Sequence, residues 1–326
     1  MKKFLRTLIL FILIVGVITA GINGLYLLRE NQMPDTMSDE RNNNSQIKNV
    51  PNGIQICNLG SSHGLYGFNY TDLSNEYVCY NFGQPSQRLS YDYRILCNFI
   101  DRFDDGAIVF IPISHFSFFG PPETSYDNFA SLNKRYYKFL PDDLIKEYDA
   151  KTDFFVNYAP ALSADSVVDL FRTLLGKGTE SFWGNSITAE GAKEHGYNRY
   201  KTFVESKLGK EGNRWYNDEE LQALYDIIKL CRDHGLTPVL ITTPMLSEYT
   251  DAVTENDPEF FGDFYGVIDE VVEKTNVIYL DYSADKNFCN NYSLFYNSDH
   301  LNREGARRFT DMLIEDVFKQ NANLHG

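Results

Sequence analysis

The sequence predicts an α/β fold, a three-layer sandwich around a mostly parallel sheet of about five strands. Short apolar segments alternate with longer segments of helical periodicity, and strands separated by helices form right-handed crossovers in a parallel sheet. The chain has 326 residues, of which 43% are hydrophobic, which is enough for one large core or two small ones.

The predicted strands are short apolar runs that end at turn-forming residues. They are residues 54–59, 77–82, 107–113, 238–242 and 277–281. The predicted helices carry apolar residues at helical spacing, as Phe309, Leu313 and Val317 do in the last of them. They are residues 86–103, 218–234, 259–274 and 303–319.

An apolar run from residue 8 to residue 28 precedes these elements, with basic residues in front of it. About 20 apolar residues span a bilayer, so we predict that residues 1–28 form a transmembrane signal anchor. A cleaved signal peptide is the alternative, with a cleavage site at Ala20-Gly21, although Ile18 occupies a position that favours small residues. The basic residues predict a cytoplasmic N-terminus and a domain outside the cytoplasmic membrane.

Two further segments complete the predicted organisation. Residues 29–53 are polar, Asn-rich and without periodicity, and are predicted to be a linker to a domain at residues 54–320. Residues 116–216, between the third and fourth strands, are longer than an ordinary connection and rich in aromatic residues. We predict a mostly helical insertion at the carboxyl edge of the sheet, whose aromatic rings stack on sugars or, for most of them, form its own core.

The charge balance excludes one class of partner. Lys and Arg number 30 against 45 Asp and Glu, a net charge of −15, whereas nucleic-acid binding depends on basic residues that neutralise phosphates. An acidic surface also favours a neutral glycan over a polyanionic acceptor. The five cysteines include no C-x-x-C pair, and no phosphate loop or His/Asp metal cluster is visible, so no cofactor and no metal are predicted.

Two motifs at opposite ends of the predicted domain carry candidate catalytic residues. The first strand runs into Gly60-Ser61-Ser62, which places a hydroxyl at the carboxyl end of that strand. Near the chain end, Asn297-Ser298-Asp299-His300 precedes the last helix, whose predicted N-cap is Asn302. A serine is a poor nucleophile until a base takes its proton, and the base needs a third group to orient it. The sequence therefore predicts an acyl-transfer or ester-hydrolysis site with His300 as base.

These motifs resemble those of the SGNH or GDSL hydrolases and their acyltransferase relatives, in order along residues 54–320. The resemblance implies a flavodoxin-like SGNH fold, Ser62 as nucleophile, and an oxyanion hole from the N–H groups of Ser62 and Gly83. The family's asparagine after the third strand is absent, and Ser114 or His115 is the candidate substitute. The Gly-Ser-Ser form is similar to the membrane-anchored branch with D-alanyl transfer and polysaccharide O-acetylation proteins.

The identity of the triad acid stays open. Counting back from His300 by the family's spacing leads to Asn297, where the family has aspartate, and Asp299 is the adjacent carboxylate. Either Asp299 reaches the imidazole, or Asn297 orients it as in Cys-His-Asn proteases, or the acid is absent and activity is feeble.

The resemblance implies a function as well as a site. It implies a membrane-anchored serine acyltransferase or esterase acting on acyl groups of a cell-envelope glycan, with a membrane-bound O-acyltransferase as the partner that exports the acyl group. The alternative is a catalytically inactive SGNH-like envelope protein that binds a glycan or such a partner.

Overall fold

The computed structural model of the protein describes residues 1–120, 123–125, 129–162, 168, 171, 183–205 and 217–324. The chain divides into two compact units, the first formed by Met1–Pro34 with Ala130–Glu180 and the second by Asp35–Phe129 with Ser181–Gly326. The predicted insertion is thereby shared between the two units. Parts of it lie outside the described residues, namely 121–122, 126–128, 163–167, 169–170, 172–182 and 206–216.

The second unit contains a five-stranded, all-parallel sheet, which confirms the predicted fold class. Its strands are β1 (Ile54–Asn58), β2 (Cys79–Asn81), β3 (Phe103–Pro112), β4 (Thr237–Thr242) and β5 (Ile278–Asp281), in the spatial order β2-β1-β3-β4-β5. The chain adds β2 on one side of β1 and β3 on the other. The carboxyl ends of β1 and β3 therefore form the switch point at which open α/β sheets bind ligands.

The helices of the described residues lie in both units. They are α1 (Lys2–Asn31), α2 (Ser62–Gly67), α3 (Leu89–Phe99), α4 (Phe129–Asn133), α5 (Ala150–Asn157), α6 (Ala189–Arg199), α7 (Asp218–Asp233), α8 (Ser247–Asn256), α9 (Phe260–Thr275) and α10 (Arg303–Leu324). A π-helix, Tyr200–Glu205, continues α6. Short 3₁₀ turns occur at Ile100–Arg102, Glu123–Ser125, Tyr136–Lys138, Asp142–Leu144, Pro160–Leu162 and Tyr292–Leu294.

The sheet has an apolar layer on each face. Phe110 and Ile241 point to one face and join a cluster with Phe309 of α10. Val109 and Leu240, one residue earlier in each strand, are also buried and point to the other face. The helix α7 contacts β4 and packs against α3 and α9. The result is the three-layer sandwich that the alternating pattern predicts.

Several element boundaries differ from the prediction for local reasons. The helix predicted from residue 86 begins at Leu89, because Ser86 has a left-handed backbone with φ of 57°. That helix ends earlier than predicted, and β3 already begins at Phe103. The helices α2 and α8 were not predicted, since elements of six and ten residues carry a weak periodic signal.

From Asp35 onward, the predicted linker belongs to the second unit and packs within it. The guanidinium of Arg41 is buried, donates to Leu65 O at 2.7 Å and to Phe68 O, and lies 4.6 Å from the Trp183 ring. Thr36 Oγ1 donates to Asn81 O at 2.5 Å. Arg41 satisfies carbonyls at the C-terminus of α2 that the helix itself leaves unpaired. Such a long-range contact leaves no periodic signal in the linker sequence.

The helix α1 belongs to the first unit. Within the described part of the chain it is the one helix long and apolar enough, by length and composition, to cross a membrane. It contains the predicted apolar run and continues beyond it to Asn31.

Candidate active site

The backbone turn after β1 positions Ser62. Gly60 has φ of 104°, a conformation that favours glycine, and its N–H donates to Asp92 Oδ1 at 2.8 Å. Ser61 is the N-cap of α2, and its Oγ accepts from the His63 N–H at 3.4 Å. Ser62 is therefore the first residue of the helix, partly exposed, with an N–H that has no acceptor within the helix.

A buried polar cluster holds this turn in place. Gln87 Nε2 donates to Asp92 Oδ1 at 2.6 Å and to Gly60 O at 3.2 Å. Burial raises the pKa of Asp92 to about 7, although hydrogen bonds from Gly60 and Gln87 act in the opposite direction. The sequence pattern did not single out either side chain.

His300 lies against the Ser62 hydroxyl, with Nε2 2.7 Å from Oγ. Burial lowers the pKa of His300 to about 4, against the raising effect of Asp299, so the ring is neutral near pH 7. Its Nδ1 faces oxygen acceptors and therefore carries the proton, which leaves the Nε2 lone pair to accept from Ser62. This is the geometry that general-base activation of a serine requires.

Both candidates for the third group contact His300. Asn297 Oδ1 and Asp299 Oδ1 are each 3.1 Å from Nδ1. Asn297 Oδ1 also accepts from the backbone N–H groups of Asp299, at 3.0 Å, and His300, at 2.8 Å, so it closes the turn of the loop. Within this turn the Asp299 side chain points toward the imidazole and brings a full negative charge to it.

Arg199 is a partner of Asp299 that no sequence motif indicated. Its Nε lies 2.8 Å and its Nη2 2.5 Å from Oδ2 of Asp299, whose side chain is 2% exposed. Burial would raise the pKa of Asp299, but Arg199 and the His300 and His63 imidazoles hold it well below its usual range. Arg199 ends α6 where the π-helix begins, a feature frequent at functional sites, and lies 4.0 Å from the Phe203 ring.

A second imidazole lies beside the first. The His63 ring stacks on His300, with centroids 4.6 Å apart and planes inclined by 10°. Its Nδ1 is 2.9 Å from Ser114 Oγ, and its Nε2 is 3.5 Å from Asp299 Oδ2, which is too long for a full hydrogen bond. The neighbouring His63 imidazole disfavours a positive charge on His300, and this adds to the effect of burial in lowering the pKa of His300.

Gly83 and Ser114, two of the predicted oxyanion donors, already have other partners. Gly83 N–H donates to Asn81 Oδ1 at 2.8 Å, and a Cβ at residue 83 would lie 2.3 Å from Leu65 N, so α2 packs too closely for another residue there. Ser114 Oγ, the predicted substitute for the asparagine side chain, lies 2.9 Å from His63 Nδ1 and 3.3 Å from Ser61 Oγ. To bind an oxyanion, either group would have to share or exchange its present partner.

His115, the other candidate after β3, lies in an aromatic cage. It is 1% exposed, and neither ring nitrogen has a hydrogen-bond partner among the described residues. The rings of Tyr249, Phe261 and Phe264 lie with centroids 5.6, 4.8 and 4.8 Å away. Burial, together with the nearby His63, lowers the pKa of His115 to about 3, so the ring is neutral.

His115 should make the fold sensitive to acid. Below a pH of about 6.5 the unfolded chain protonates this histidine while the folded chain does not, so stability falls with pH toward the folded pKa of about 3. Between pH 7.5 and pH 5, we expect the free energy of unfolding of the parent to fall by on the order of 2 kcal/mol more than that of His115→Phe. Urea unfolding of the detergent-solubilised chain at the two pH values measures the difference. His234→Gln is the control, since that ring is exposed. A gain that does not change with pH would contradict the prediction.

Three of these side chains lie close enough together to hold a metal ion. His63, Asp299 and His300 each place a ligand atom within 4.8 Å of the others. However, the Arg199 cation contacts the same carboxylate, and the two imidazoles are stacked face to face rather than converging in plane on one point. The donor set therefore suits proton transfer better than metal binding.

Comparisons with known proteins give little further information. No family model matches the chain, and no curated protein matches it. Among solved structures, the chain is similar to a Bacteroides fragilis protein provisionally described as an acylhydrolase. The TM-score is 0.36 and the identity 11%, over 91% of this chain and 95% of that chain. At this level the likeness carries no argument about activity.

Proposed function

We propose that this protein is a serine-dependent acyltransferase or esterase acting on acyl groups of a cell-envelope glycan. One observation carries the proposal: Ser62 Oγ lies 2.7 Å from His300 Nε2, and the Nδ1 of the same ring lies 3.1 Å from Asp299 Oδ1. A neutral imidazole between a hydroxyl and a carboxylate is the arrangement that makes serine nucleophilic.

The proposed reaction uses this chain in two steps. Ser62 Oγ attacks the acyl carbonyl while its proton moves to Nε2 of His300, and Asp299 stabilises the imidazolium. The tetrahedral intermediate collapses to an acyl-enzyme as His300 returns the proton to the leaving oxygen. A sugar hydroxyl or water then attacks the acyl carbon and gives its proton to His300, which donates a proton to Ser62 Oγ as the bond between that oxygen and the acyl carbon breaks. The Ser62 N–H is the first oxyanion donor, with Gly83 and Ser114 as further predicted donors.

The anchor and the substrate class rest on other grounds. The length and apolarity of α1 support an anchor in the cytoplasmic membrane, and the basic residues before it support a domain facing outside. The glycan and the membrane-bound O-acyltransferase partner follow from the resemblance of the Gly60-Ser61-Ser62 and His300 motifs to the anchored SGNH branch. The net charge of −15 favours a neutral acceptor.

An inactive binding protein on the same fold is the second candidate. The observation that favours it is the occupied state of two predicted oxyanion donors, since Gly83 N–H donates to Asn81 Oδ1 and Ser114 Oγ is in contact with His63 Nδ1. A protein that only binds a glycan or a membrane partner has no need of a free oxyanion hole.

A serine-reactive fluorophosphonate probe separates the two candidates. We expect the detergent-solubilised full chain to be labelled on Ser62, because the probe needs an activated hydroxyl, and Ser62→Ala to abolish labelling. Ser61→Ala is the neighbouring control; it removes a helix cap and should keep most of the labelling. A folded parent chain that is not labelled, or is labelled equally after Ser62→Ala, would favour the binding protein.

A further inference from the structure

Residues 150–162, called here the docked segment, consist of α5 and the turn Pro160–Leu162 and contact α1 within the first unit. Asn23 lies inside the apolar run of α1, where an unpaired amide in lipid is costly. Its Nδ2 donates to Tyr158 O at 3.1 Å, and its Oδ1 accepts from the Ala161 N–H at 3.1 Å. Both ends of this amide are therefore satisfied by the docked segment.

A second link lies nearer the C-terminal end of α1. Lys138 Nζ is ion-paired with Glu30 Oε2 and donates to Val156 O at 2.8 Å. Asn23 and Glu30 are seven residues apart in the helix, a distance of about 10 Å along its axis. The docked segment thus follows α1 over about two turns, from the charged end into the apolar run.

The docked segment exposes large apolar side chains beside α1. Phe154, Tyr158 and Leu162 are 49%, 67% and 55% exposed. The Phe154 and Tyr158 rings lie 6.3 Å apart, one helical turn from each other. Exposed apolar side chains that lie together, rather than singly, are typical of an interaction surface.

The backbone of the segment is suited to a medium without water. The N–H groups of Tyr158 and Ala159 donate to Phe154 O, and that of Leu162 donates to Ala159 O, each at 3.0 Å. Ala161 N–H is bound by Asn23, and Pro160 has no N–H to satisfy. Every backbone donor from residue 158 to residue 162 therefore has a partner, as lipid-exposed backbone requires.

We propose that the docked segment enters the bilayer beside α1, with Phe154, Tyr158 and Leu162 in contact with lipid. The proposal rests on the membrane anchor of the proposed function. Asn23 precedes the end of the apolar run at residue 28 by about 8 Å, so the segment reaches the zone between headgroups and acyl chains, where aromatic side chains are enriched. The charged residues in the first turn of α5, such as Lys151 and Asp153, are then placed on the aqueous side of this zone.

Lipid is the occupant that the observations favour. The segment that carries these exposed side chains contacts α1 through the turn Pro160–Leu162. The apolar window of α1 has no buried residue and would be surrounded by lipid along its length. A protein partner that covered the docked segment would have to lie in the membrane as well.

Tryptophan quenching in vesicles tests the proposal. The full chain is reconstituted in phosphatidylcholine vesicles with brominated acyl chains, and three variants are compared with the parent chain and its two tryptophans. Leu13→Trp reports the anchor, Phe154→Trp the docked segment, and Tyr197→Trp the second unit at a matched exposure of 47%. We expect the added emission to be quenched at least twofold by brominated lipid for Leu13→Trp and Phe154→Trp, and to be unchanged for Tyr197→Trp.

Each contrary result has a separate meaning. Quenching of Phe154→Trp by aqueous iodide and not by brominated lipid, with Leu13→Trp still quenched by lipid, overturns the proposal and leaves the anchor in place. A Phe154→Trp emission reached by neither quencher means that protein covers the segment, which also overturns it. If Leu13→Trp is not quenched by lipid, the anchor itself fails and the proposal falls with it.

Discussion

Asp299→Asn is expected to lower kcat for an activated ester by about 10⁴, the scale of losing the orienting carboxylate in a Ser-His-Asp site. The Asp299 carboxylate accepts from His300 Nδ1 and is the only negative charge within hydrogen-bond distance of that ring among the described residues. An amide at this position no longer stabilises the imidazolium, and its NH₂ group can turn toward Nδ1 and favour the wrong tautomer. Steady-state hydrolysis of a p-nitrophenyl ester measures the effect.

Asn297→Asp distinguishes the two candidates for the acid. It keeps the oxygen that closes the loop turn through the N–H groups of Asp299 and His300. If Asp299 is the acid, this variant should remain near the parent activity. A rise in kcat for Asn297→Asp, together with an Asp299→Asn variant within tenfold of the parent, would instead make Asn297 the orienting residue.

Arg199→Gln is expected to destabilise the fold by roughly 3–5 kcal/mol, because it leaves the buried Asp299 carboxylate without its charged partner. Activity should fall with stability, since a carboxylate that regains a proton no longer supports His300. Urea unfolding of the detergent-solubilised chain measures the loss. Arg199→Lys keeps the charge but cannot reproduce the two contacts from Nε and Nη2, so its loss should be intermediate.

The double variant Arg199→Gln with Asp299→Asn completes the cycle. It removes both charges, so most of the stability lost in Arg199→Gln should return, although activity should not. Additive losses of stability in the double variant would show that the two side chains do not depend on each other, against the contact between them.

The layered fold was predictable because its signals are local. Each strand is an apolar run, and helices such as α7 repeat apolar residues at helical spacing, so the order of elements implied a parallel sheet. Short elements and exact boundaries were less predictable. The start of α3 depends on the left-handed backbone of Ser86, and β2 has only three residues.

The candidate site divides in the same way. The serine turn and the His300 loop are short motifs, and the structure brings the side chains of Ser62 and His300 together. The predicted N-cap Asn302 is confirmed, because its Oδ1 accepts from Gly305 N–H at 3.0 Å. Arg199 lies 100 residues before Asp299 in a segment without a motif, so only the folded chain pairs them. The direction of the Asp299 side chain likewise depends on the turn that Asn297 closes, which spacing alone does not reveal.

The buried guanidinium of Arg41 affects the choice of the first residue for a truncated protein without the apolar helix. A fragment that begins at residue 53, where the polar stretch ends, would lack Arg41. That side chain donates hydrogen bonds to carbonyls at the C-terminus of α2 and stacks on the Trp183 ring. The helix α2, which begins with Ser62, would then lose hydrogen bonds to its C-terminal carbonyls. The yield of folded protein would fall because the fold is less stable, not because the fragment is less soluble. A fragment beginning near Asp35 is longer, keeps both Thr36 and Arg41, and is the better choice for crystallisation or assay.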